Sequence, residues 1–243
     1  MKHDFSGKTA VITGGSTGYG AGIAEVLSKS GASVWITGRH EETLKETAES
    51  CGCRYVAADA ARPKDWDALI DRVTEKEGKI DLLVNNAGGG INIAPLEEQT
   101  DEEINASITV NLTGAIYGCR RVLPQMKKRK SGTIINVSSI CATEAWPGWS
   151  VYAAAKAGMV QFTNSIYVEG REHGIRATSL VPSWGNTEFI DSAGLPAFDK
   201  ETRDKCIQPA ELGDVVAYIW DFPAHLEVQS MVVLPLVQEI NPF

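Results

Sequence analysis

Tyr152 and Lys156 are the residues of this sequence whose types and spacing point most directly to chemistry. They stand four residues apart in an alanine-rich helical stretch, so both side chains are expected on one helix face. A free tyrosine has a pKa of about 10, and bringing it to about 7 takes about 4 kcal/mol in favour of the phenolate. One ammonium about 4 Å away supplies a similar energy at an effective dielectric constant of about 20. The pair therefore predicts a phenol, made more acidic by the lysine, that exchanges a proton near neutral pH.

Polar residues close two of the apolar runs that read as buried strands. Ser139 follows one run, and Asn85-Asn86-Ala87-Gly88 follows the run before it, with Asn111 in the helix between them. The carboxyl ends of parallel strands meet at one edge of a sheet, where α/β proteins bind their ligands. We therefore expect Ser139 and Asn111 to lie close to the tyrosine–lysine pair.

A glycine-rich turn joins the first predicted strand to the first helix, with the sequence Thr13-Gly14-Gly15-Ser16-Thr17-Gly18-Tyr19-Gly20. Glycines in such a turn let backbone N–H groups approach a pyrophosphate with no Cβ in the way, and the helix N-terminus adds a favourable partial charge. A plain connection is the alternative reading. The place of the turn after the first strand of a βαβ pattern predicts nucleotide binding.

The end of the second predicted strand indicates which dinucleotide is bound. Proteins that read NAD usually place an acid there to accept the ribose 2′-hydroxyl. This chain has Thr37-Gly38-Arg39-His40 instead, and Arg39 can pair with a 2′-phosphate through two hydrogen bonds. The sequence predicts a preference for NADP(H) over NAD(H), with a solvated loop arginine as the alternative.

Short apolar runs alternate with helical stretches along the chain, which is typical of a parallel sheet covered by helices on both faces. No Pro-, Gly- or Ser-rich linker divides the 243 residues, so we predict one α/β domain, residues 1–243, with a doubly wound sheet. Two long helical stretches, Asp101–Lys128 and Val151–His173, favour a homodimer or homotetramer, and monomeric packing is the alternative. The predicted strands are Thr9–Thr13, Ser33–Thr37, Tyr55–Ala58, Leu82–Asn85, Thr133–Val137, Arg176–Val181 and Met231–Leu234.

Composition and charge exclude several classes of protein. The chain is 43% hydrophobic and 22% charged, which is globular composition rather than that of a disordered or collagen-like protein. A net charge of −8 argues against a nucleic-acid or anionic-membrane partner. The five cysteines have no second ligand pair at zinc spacing, which predicts free thiols in a reducing compartment and no metal site. The sequence starts without an apolar leader and holds no apolar run of about 18 residues, which predicts a cytoplasmic location.

Together these motifs resemble the short-chain dehydrogenase/reductase family over nearly the whole chain. The resemblance implies a Rossmann-type seven-stranded sheet and nicotinamide-dependent interconversion of a small-molecule carbonyl and its alcohol. It also implies roles: Tyr152 as general acid or base, Ser139 as hydrogen-bond donor to the developing alkoxide, Lys156 at the nicotinamide ribose, and Asn111 holding a water. The matching residues are Thr13-x-x-x-Gly18-x-Gly20, Asp59, Asn85-Asn86-Ala87-Gly88, Asn111, Ser139 and Tyr152-x-x-x-Lys156.

The same resemblance implies a set of cofactor contacts. Asp59 and Ala60 are expected at the adenine, Asn86 and Gly88 along the adenosine side, and Thr187 at the nicotinamide end. For Asp59 the alternative is a helix-capping or turn acid. The expected set is Gly14, Ser16, Thr17, Gly18, Tyr19, Gly20, Arg39, Asp59, Ala60, Asn86, Ala87, Gly88, Tyr152, Lys156, Pro182, Gly185 and Thr187.

Two features depart from the family pattern. Ser183 follows Pro182 where a glycine is usual, so the turn around Gly185 is expected to be altered. The tail, Val232–Gln238, lacks the usual Asp-Gly-Gly ending. In this respect the chain resembles a branch of the family that acts on 3-hydroxy acids or sulfoacetaldehyde.

Substrate contacts are predicted from neighbourhood in the sequence. Aromatic rings near Tyr152 would narrow the site and favour a small or flat substrate, although helix packing is an equal alternative. A lid is expected over about residues 187–208, in which an arginine would pair with an anionic group or else lie in solvent. The candidate residues are Glu144, Trp146, Trp149, Trp184 and Arg203.

Two other functions are compatible with a dinucleotide-binding fold. A sugar-nucleotide epimerase or dehydratase would need an added substrate domain and a different glycine spacing, which this chain lacks. A non-catalytic regulator that senses NAD(P) would have no need of the Ser139, Tyr152 and Lys156 set. Both are therefore less favoured than an oxidoreductase.

Overall fold

The parallel direction of the strands follows from the alternation of apolar runs and helices. The computed structural model describes residues 3–89, 92–189, 193–194 and 197–238, and within them seven parallel strands form one sheet in the order β3-β2-β1-β4-β5-β6-β7. The predicted seven-stranded parallel sheet is confirmed. The strands are β1 Thr9–Thr13, β2 Ser33–Gly38, β3 Arg54–Ala57, β4 Leu82–Asn85, β5 Gly132–Val137, β6 Ile175–Pro182 and β7 Ser230–Val233.

Helices connect the strands and cover both faces of the sheet. Those in the described residues are α1 Gly18–Lys29, α2 Glu41–Cys51, α3 Pro63–Glu77, α4 Asp101–Ile108, α5 Gly114–Arg129, α6 Ser150–Gly170, α7 Lys200–Lys205 and α8 Pro209–Trp220. A π-helical turn, Thr109–Thr113, joins α4 to α5. In this described part of the chain, no helix combines the length and apolarity needed to cross a lipid bilayer.

Buried side chains on opposite faces of each strand form two core layers. On β1, Ile12 packs toward α1 and α8 in one layer, and Val11 packs toward α3 and α5 in the other. A strand that is buried on both faces reads as a continuous apolar run, because neither face meets water. This explains why the strands stood out in the sequence without the alternating pattern of half-exposed strands.

The strand order reverses between β1 and β4, because β2 and β3 lie on one side of β1 and β4 to β7 lie on the other. Ligands of such sheets bind in the crevice outside the carboxyl ends of the strands at this switch point. Thr13 ends β1 and Asn85 ends β4, so the glycine loop and the Asn86–Gly88 segment both begin at the crevice.

The predicted helix Asp101–Lys128 is interrupted rather than continuous. The π-helical turn lies at Asn111, whose Nδ2 donates to the Ser107 carbonyl oxygen at 3.0 Å. A side chain that bonds a carbonyl of the preceding turn competes with the regular backbone ladder, and wide turns of this kind arise where the ladder is disturbed. Asn111 is thus fully buried at a widened turn.

Candidate functional site

Thr13 fixes the glycine loop to the end of β4. Its hydroxyl oxygen accepts hydrogen bonds from the backbone N–H groups of Asn86 at 3.0 Å and Ala87 at 2.9 Å. In return, Asn86 Nδ2 donates to the carbonyl oxygens of Thr13 at 3.0 Å and Gly14 at 3.1 Å. The loop therefore has one well-defined path across the switch point.

Close backbone packing explains a glycine at position 20. A Cβ there would lie 2.0 Å from the Gly14 carbonyl oxygen, so any larger residue would force the loop apart. Gly20 lies in the first turn of α1, whose N-terminus has no side-chain cap at Thr17 and no acid in this turn. A cleft of about 440 Å³ borders this N-terminus and is lined by Ser16, Thr17 and Gly18, among others. Uncapped helix N–H groups beside bare backbone suit an anion such as a pyrophosphate.

Arg39 and Ser16 lie at the same end of the crevice. Arg39 follows β2 and is exposed, and a Cβ on the neighbouring Gly38 would be 3.4 Å from Ser16 Oγ. Asp59, at the end of the third strand's loop, accepts a hydrogen bond from the Ala61 N–H at 2.9 Å. Asp59 thus has the turn-forming contact that the sequence left as an alternative, and its contact with adenine stays a prediction.

A buried polar chain holds α6, the helix of Tyr152 and Lys156, against the sheet. Asn136 of β5 donates from Nδ2 to Thr163 Oγ1 at 2.9 Å, and Thr163 donates to the Met159 carbonyl oxygen at 2.7 Å. Ser138 Oγ donates to the Lys156 carbonyl oxygen at 2.8 Å. Buried networks whose members are satisfied restrict the packing to one arrangement. These hydrogen bonds fix the position of α6 relative to the end of β5.

The structure brings Ser139, Tyr152 and Lys156 together at the end of β5. Tyr152 is buried, and the Ser139 side chain is close enough to it to act on the pKa of the phenol. The Lys156 ammonium lies 5.6 Å from the centre of the Tyr152 ring and donates to the Val137 carbonyl oxygen at 3.0 Å. A Cβ on Gly88 would lie 3.4 Å from Lys156 Nζ, so the lysine also borders the segment after β4.

Burial sets the pKa values of this pair and corrects the expectation from spacing alone. Burial raises the pKa of Tyr152, and the hydrogen bond with Ser139 opposes that shift only in part. Burial also lowers the pKa of Lys156 to about 8. The pKa of Tyr152 is therefore raised and not lowered as the spacing predicted, because desolvation outweighs the attraction of an ammonium that donates to the Val137 carbonyl oxygen.

Asn111 binds the segment after β4 rather than Tyr152. Its Oδ1 accepts from the Gly89 N–H at 3.1 Å, and its Nδ2 donates to the Gly89 carbonyl oxygen at 3.2 Å. A Cβ on Gly88 would lie 2.9 Å from the same Oδ1. The amide thus clamps this segment beside Lys156, and the expected water at Asn111 stays a prediction.

Two aromatic residues lie against Tyr152. The Trp149 ring centre is 5.5 Å from that of Tyr152, and the Phe189 ring centre is 5.8 Å from it. Trp184, another predicted substrate contact, packs on Phe198 instead, with ring centres 4.7 Å apart. Aromatic residues after β6 therefore divide into a group at the phenol and a group away from it.

The other substrate candidates have less direct positions. Glu144 and Trp146 are half-buried in the segment between Ser139 and α6. Arg203 lies on α7, where its Nε donates to the Phe198 carbonyl oxygen at 3.3 Å. Of the predicted lid, residues 190–192 and 195–196 lie outside the described residues. Its described ends are joined, because Gly185 and Ile207 form a parallel bridge.

Tyr19 connects the glycine loop to the segment after β6. Its hydroxyl donates to the Ser183 carbonyl oxygen at 3.1 Å, and a Cβ on Gly185 would lie 2.1 Å from that hydroxyl oxygen. Thr187 contacts the loop as well, because its Cβ would be 3.2 Å from a Cβ on Gly18. After Ser183, where an altered turn was expected, the Tyr19 side chain therefore occupies the space that a side chain at position 185 would need.

Sequence reasoning missed several residues that shape the site. Phe189 and Cys141 lie near Tyr152 in space, and Ser138 and Thr163 position α6. A buried threonine or serine on a helix carries no sequence signal of its partner. The one available hint for Phe189 was its position two residues after Thr187, which was expected to contact the cofactor.

Fold and site together define a Rossmann-type dinucleotide-binding protein with a serine, tyrosine and lysine at the crevice. The family model for short chain dehydrogenases matches residues 8–194. An uncharacterized oxidoreductase of Staphylococcus saprophyticus is 33% identical over 235 residues, covering 94% of this chain and 97% of that relative. The chain belongs to the short-chain dehydrogenase family of oxidoreductases.

Solved structures of similar proteins agree with this assignment. The closed form of a serine dehydrogenase complexed with NADP+ has a TM-score of 0.88 at 27% identity, covering 97% of this chain and 98% of that one. A 3-ketoacyl-(acyl-carrier-protein) reductase from Brucella melitensis, complexed with NADH, has a TM-score of 0.86 at 29% identity. That match covers 94% of this chain and 97% of the reductase.

Proposed function

We propose that the protein interconverts a small-molecule carbonyl compound and its alcohol with a nicotinamide cofactor, in preference NADP(H). Tyr152 acts as general acid in reduction and as general base in oxidation. The observation that carries the proposal is the meeting of Ser139, Tyr152 and Lys156 beside the glycine loop at the switch point. Two structural relatives bound to NADP+ and to NADH support a nicotinamide cofactor.

The residues at the crevice fit a dinucleotide. The uncapped N-terminus of α1 and the bare backbone of Gly14, Gly18 and Gly20 suit the pyrophosphate. Arg39, with Ser16 nearby, suits a ribose 2′-phosphate, since no acid closes β2 to repel it. In our proposal Lys156 and Thr187 hold the nicotinamide end.

Each catalytic side chain has one task in the reaction. When bound, the nicotinamide supplies or accepts the hydride. In reduction, Tyr152 Oη gives its proton to the carbonyl oxygen of the substrate, and the Ser139 hydroxyl donates a hydrogen bond to the same oxygen. The Lys156 ammonium, 5.6 Å from the centre of the Tyr152 ring, then stabilises the phenolate that remains.

The resting protonation state favours reduction at neutral pH. Burial raises the pKa of Tyr152, so the phenol keeps its proton and is ready to act as an acid. Oxidation needs the phenolate, which at neutral pH is scarce for a tyrosine whose pKa is raised. The phenol is therefore in the protonation state that carbonyl reduction requires.

Replacing Tyr152 by phenylalanine tests the proposal. NADPH and NADH oxidation would be followed with a panel of aldehydes, ketones, oxo acids and sulfonated aldehydes. We expect Tyr152→Phe to lower kcat about 1000-fold, or about 4 kcal/mol, because the proton donor is lost. The affinity for NADPH should stay within about threefold, and the wild type should favour NADPH about tenfold in kcat/KM.

Tyr167→Phe is the matched control, because Tyr167 lies on the same helix and packs in the core rather than at the site. It should keep wild-type turnover. Activity of Tyr152→Phe above about a tenth of wild type would contradict the role of the phenol. A wild-type protein that binds NADPH and reduces nothing in the panel would instead be a cofactor sensor.

A further inference from the structure

We propose that the site takes a carbonyl compound that carries no negative charge and presents a flat apolar group, which Trp149 and Phe189 hold beside Tyr152. This inference rests on the proposed function, because it places the reacting carbonyl at the Tyr152 hydroxyl. It names the substrate class of that site from the shape and the charge of its walls.

Two separate segments bring aromatic rings to the phenol. Trp149 directly precedes α6, and Phe189 follows β6. Their ring centres are 6.4 Å apart and their planes differ by 24°, so the two rings are nearly parallel. Both side chains are partly exposed, unlike the rings of the core. Partly exposed aromatic faces that converge on a reactive group are typical of the wall of a small-molecule site.

The reaction geometry places the substrate against these rings. A carbonyl oxygen that receives the proton of Tyr152 lies within hydrogen-bond distance of the phenol, about 3 Å. The groups attached to the carbonyl carbon then extend only a few ångströms from the Tyr152 ring. Trp149 and Phe189 are the aromatic neighbours of that ring, so a flat group on the substrate would be in contact with them.

Three segments near Trp149 and Phe189 carry acids and no bases. In their described parts, the segment 140–149 holds Glu144, the segment 182–199 holds Glu188 and Asp199, and the segment 86–99 holds Glu97 and Glu98. None of the three segments contains Lys, Arg or His. The first and third segments meet beside Trp149, because a Cβ on Gly148 would lie 3.1 Å from the Ile93 side chain. An anionic group on the substrate would therefore find no basic partner in these three segments.

The basic residues Lys156 and Arg203 make other contacts. The Lys156 ammonium donates to the Val137 carbonyl oxygen and borders Gly88, on the side expected to hold the cofactor. Arg203 stands on α7 beside Phe198, whose ring belongs to the Trp184 group. A carboxylate or sulfonate one or two carbons from the carbonyl would be desolvated among aromatic rings with no base in the adjoining segments, which is unfavourable. The site therefore favours a neutral substrate over the hydroxy acids and sulfoacetaldehyde that the tail suggested.

Four aldehydes separate the contributions of charge and of the flat ring. Methyl 4-formylbenzoate and 4-formylbenzoate differ in charge, and methyl 4-oxobutanoate and 4-oxobutanoate repeat that pair without the ring. We expect kcat/KM with NADPH to be about tenfold higher or more for the neutral ring compound than for its anion. We also expect about tenfold over the neutral compound that lacks the ring.

Substitution of Trp149 tests the wall itself. Trp149→Ala should raise KM for methyl 4-formylbenzoate about tenfold while kcat stays within about threefold, because contact is lost and the proton donor is kept. Trp149→Phe should restore most of the affinity. NADPH binding should not change in either variant. Tyr218→Ala, which removes an exposed ring from α8, is the control and should behave as wild type.

Specific results would overturn the substrate class. Equal or faster reduction of the anions would contradict the charge argument, and an unchanged ring preference in Trp149→Ala would contradict the aromatic wall. If the wild type reduces other members of the wider carbonyl panel but none of these four, the substrate class is wrong and the proposed function stands. If Tyr152→Phe reduces the four aldehydes as well as wild type, the proposed function fails instead.

Discussion

The two sides of the crevice differ in what fills them, which is backbone on one side and a side chain on the other. On the glycine-loop side, backbone packs on backbone, as where a Cβ on Gly20 would meet the Gly14 carbonyl oxygen at 2.0 Å. On the side after β6, a side chain fills the space, as where a Cβ on Gly185 would meet the Tyr19 hydroxyl at 2.1 Å. The two approaches are equally close. A backbone atom cannot be exchanged for a smaller one, whereas a tyrosine can, so the second side can change its shape by substitution.

Gly20→Ala should have the largest effect on this comparison. The methyl group would push the Gly14 carbonyl away and open the loop, so we expect affinity for NADPH to fall about 100-fold, or about 3 kcal/mol. Fluorescence titration of NADPH measures it. Gly52→Ala controls for a general loss of stability, because alanine is strained at its φ of 65° but the position lies away from the loop. Binding within about twofold of wild type would show that the loop backbone can adapt.

Lys156→Met should stabilise the fold while it removes activity. Burial lowers the pKa of Lys156 from 10.5 to about 8, so at pH 7 the buried charge destabilises the folded state by about 3 kcal/mol. Loss of the donor to the Val137 carbonyl returns about 1 kcal/mol of that. We therefore expect unfolding in denaturant at pH 7 to require about 2 kcal/mol more free energy in the variant.

The pH dependence of this gain gives its cause. Between about pH 8 and 10.5 the unfolded chain binds the proton that the folded protein has released, so wild-type stability rises with pH relative to the variant. The advantage of Lys156→Met should therefore be full below pH 8 and fade toward pH 10.5. Lys128→Met, at an exposed position, should show no such gain. A stabilisation independent of pH would mean that packing, not charge, is responsible.

Gly185→Ala should have the smallest effect, and one that a second substitution can reverse. In the wild-type background the methyl group meets the Tyr19 hydroxyl, and we expect a loss of about 1 kcal/mol of stability. In a Tyr19→Leu background the space is open, so the same substitution should be nearly neutral. A double-mutant cycle from thermal unfolding gives the coupling. Additive effects would contradict the contact between the two residues.

Sequence reasoning predicted the backbone-built side of the crevice better than the other. The glycines and Thr13 have local patterns whose physical requirement is fixed by the turn, and their places agree with the structure. The apolar strands were equally visible, because both faces of each are buried. The parallel direction of the strands followed from the alternation of strands and helices.

Contacts between distant segments left no such signal. Neither the pairing of Tyr19 with Gly185 nor the approach of Phe189 to Tyr152 follows from spacing along the chain. The pKa of Tyr152 was predicted in the wrong direction, because spacing places an ammonium near the phenol but does not show that both groups are buried. Desolvation is a property of the whole packed structure, so it could not be read from four residues of helix.

Both the core packing of α5 and the site depend on the number of residues in the π-helical turn Thr109–Thr113. Each residue turns a helix by about 100°, so removing one from this turn would rotate everything downstream. Cys119, Val122 and Met126 of α5, which are buried in the core, would then face away from the sheet. The same deletion would shift Asn111 from Gly89. A single deletion in this turn would therefore disrupt both the contact of Asn111 with Gly89, beside Lys156, and the core packing of α5.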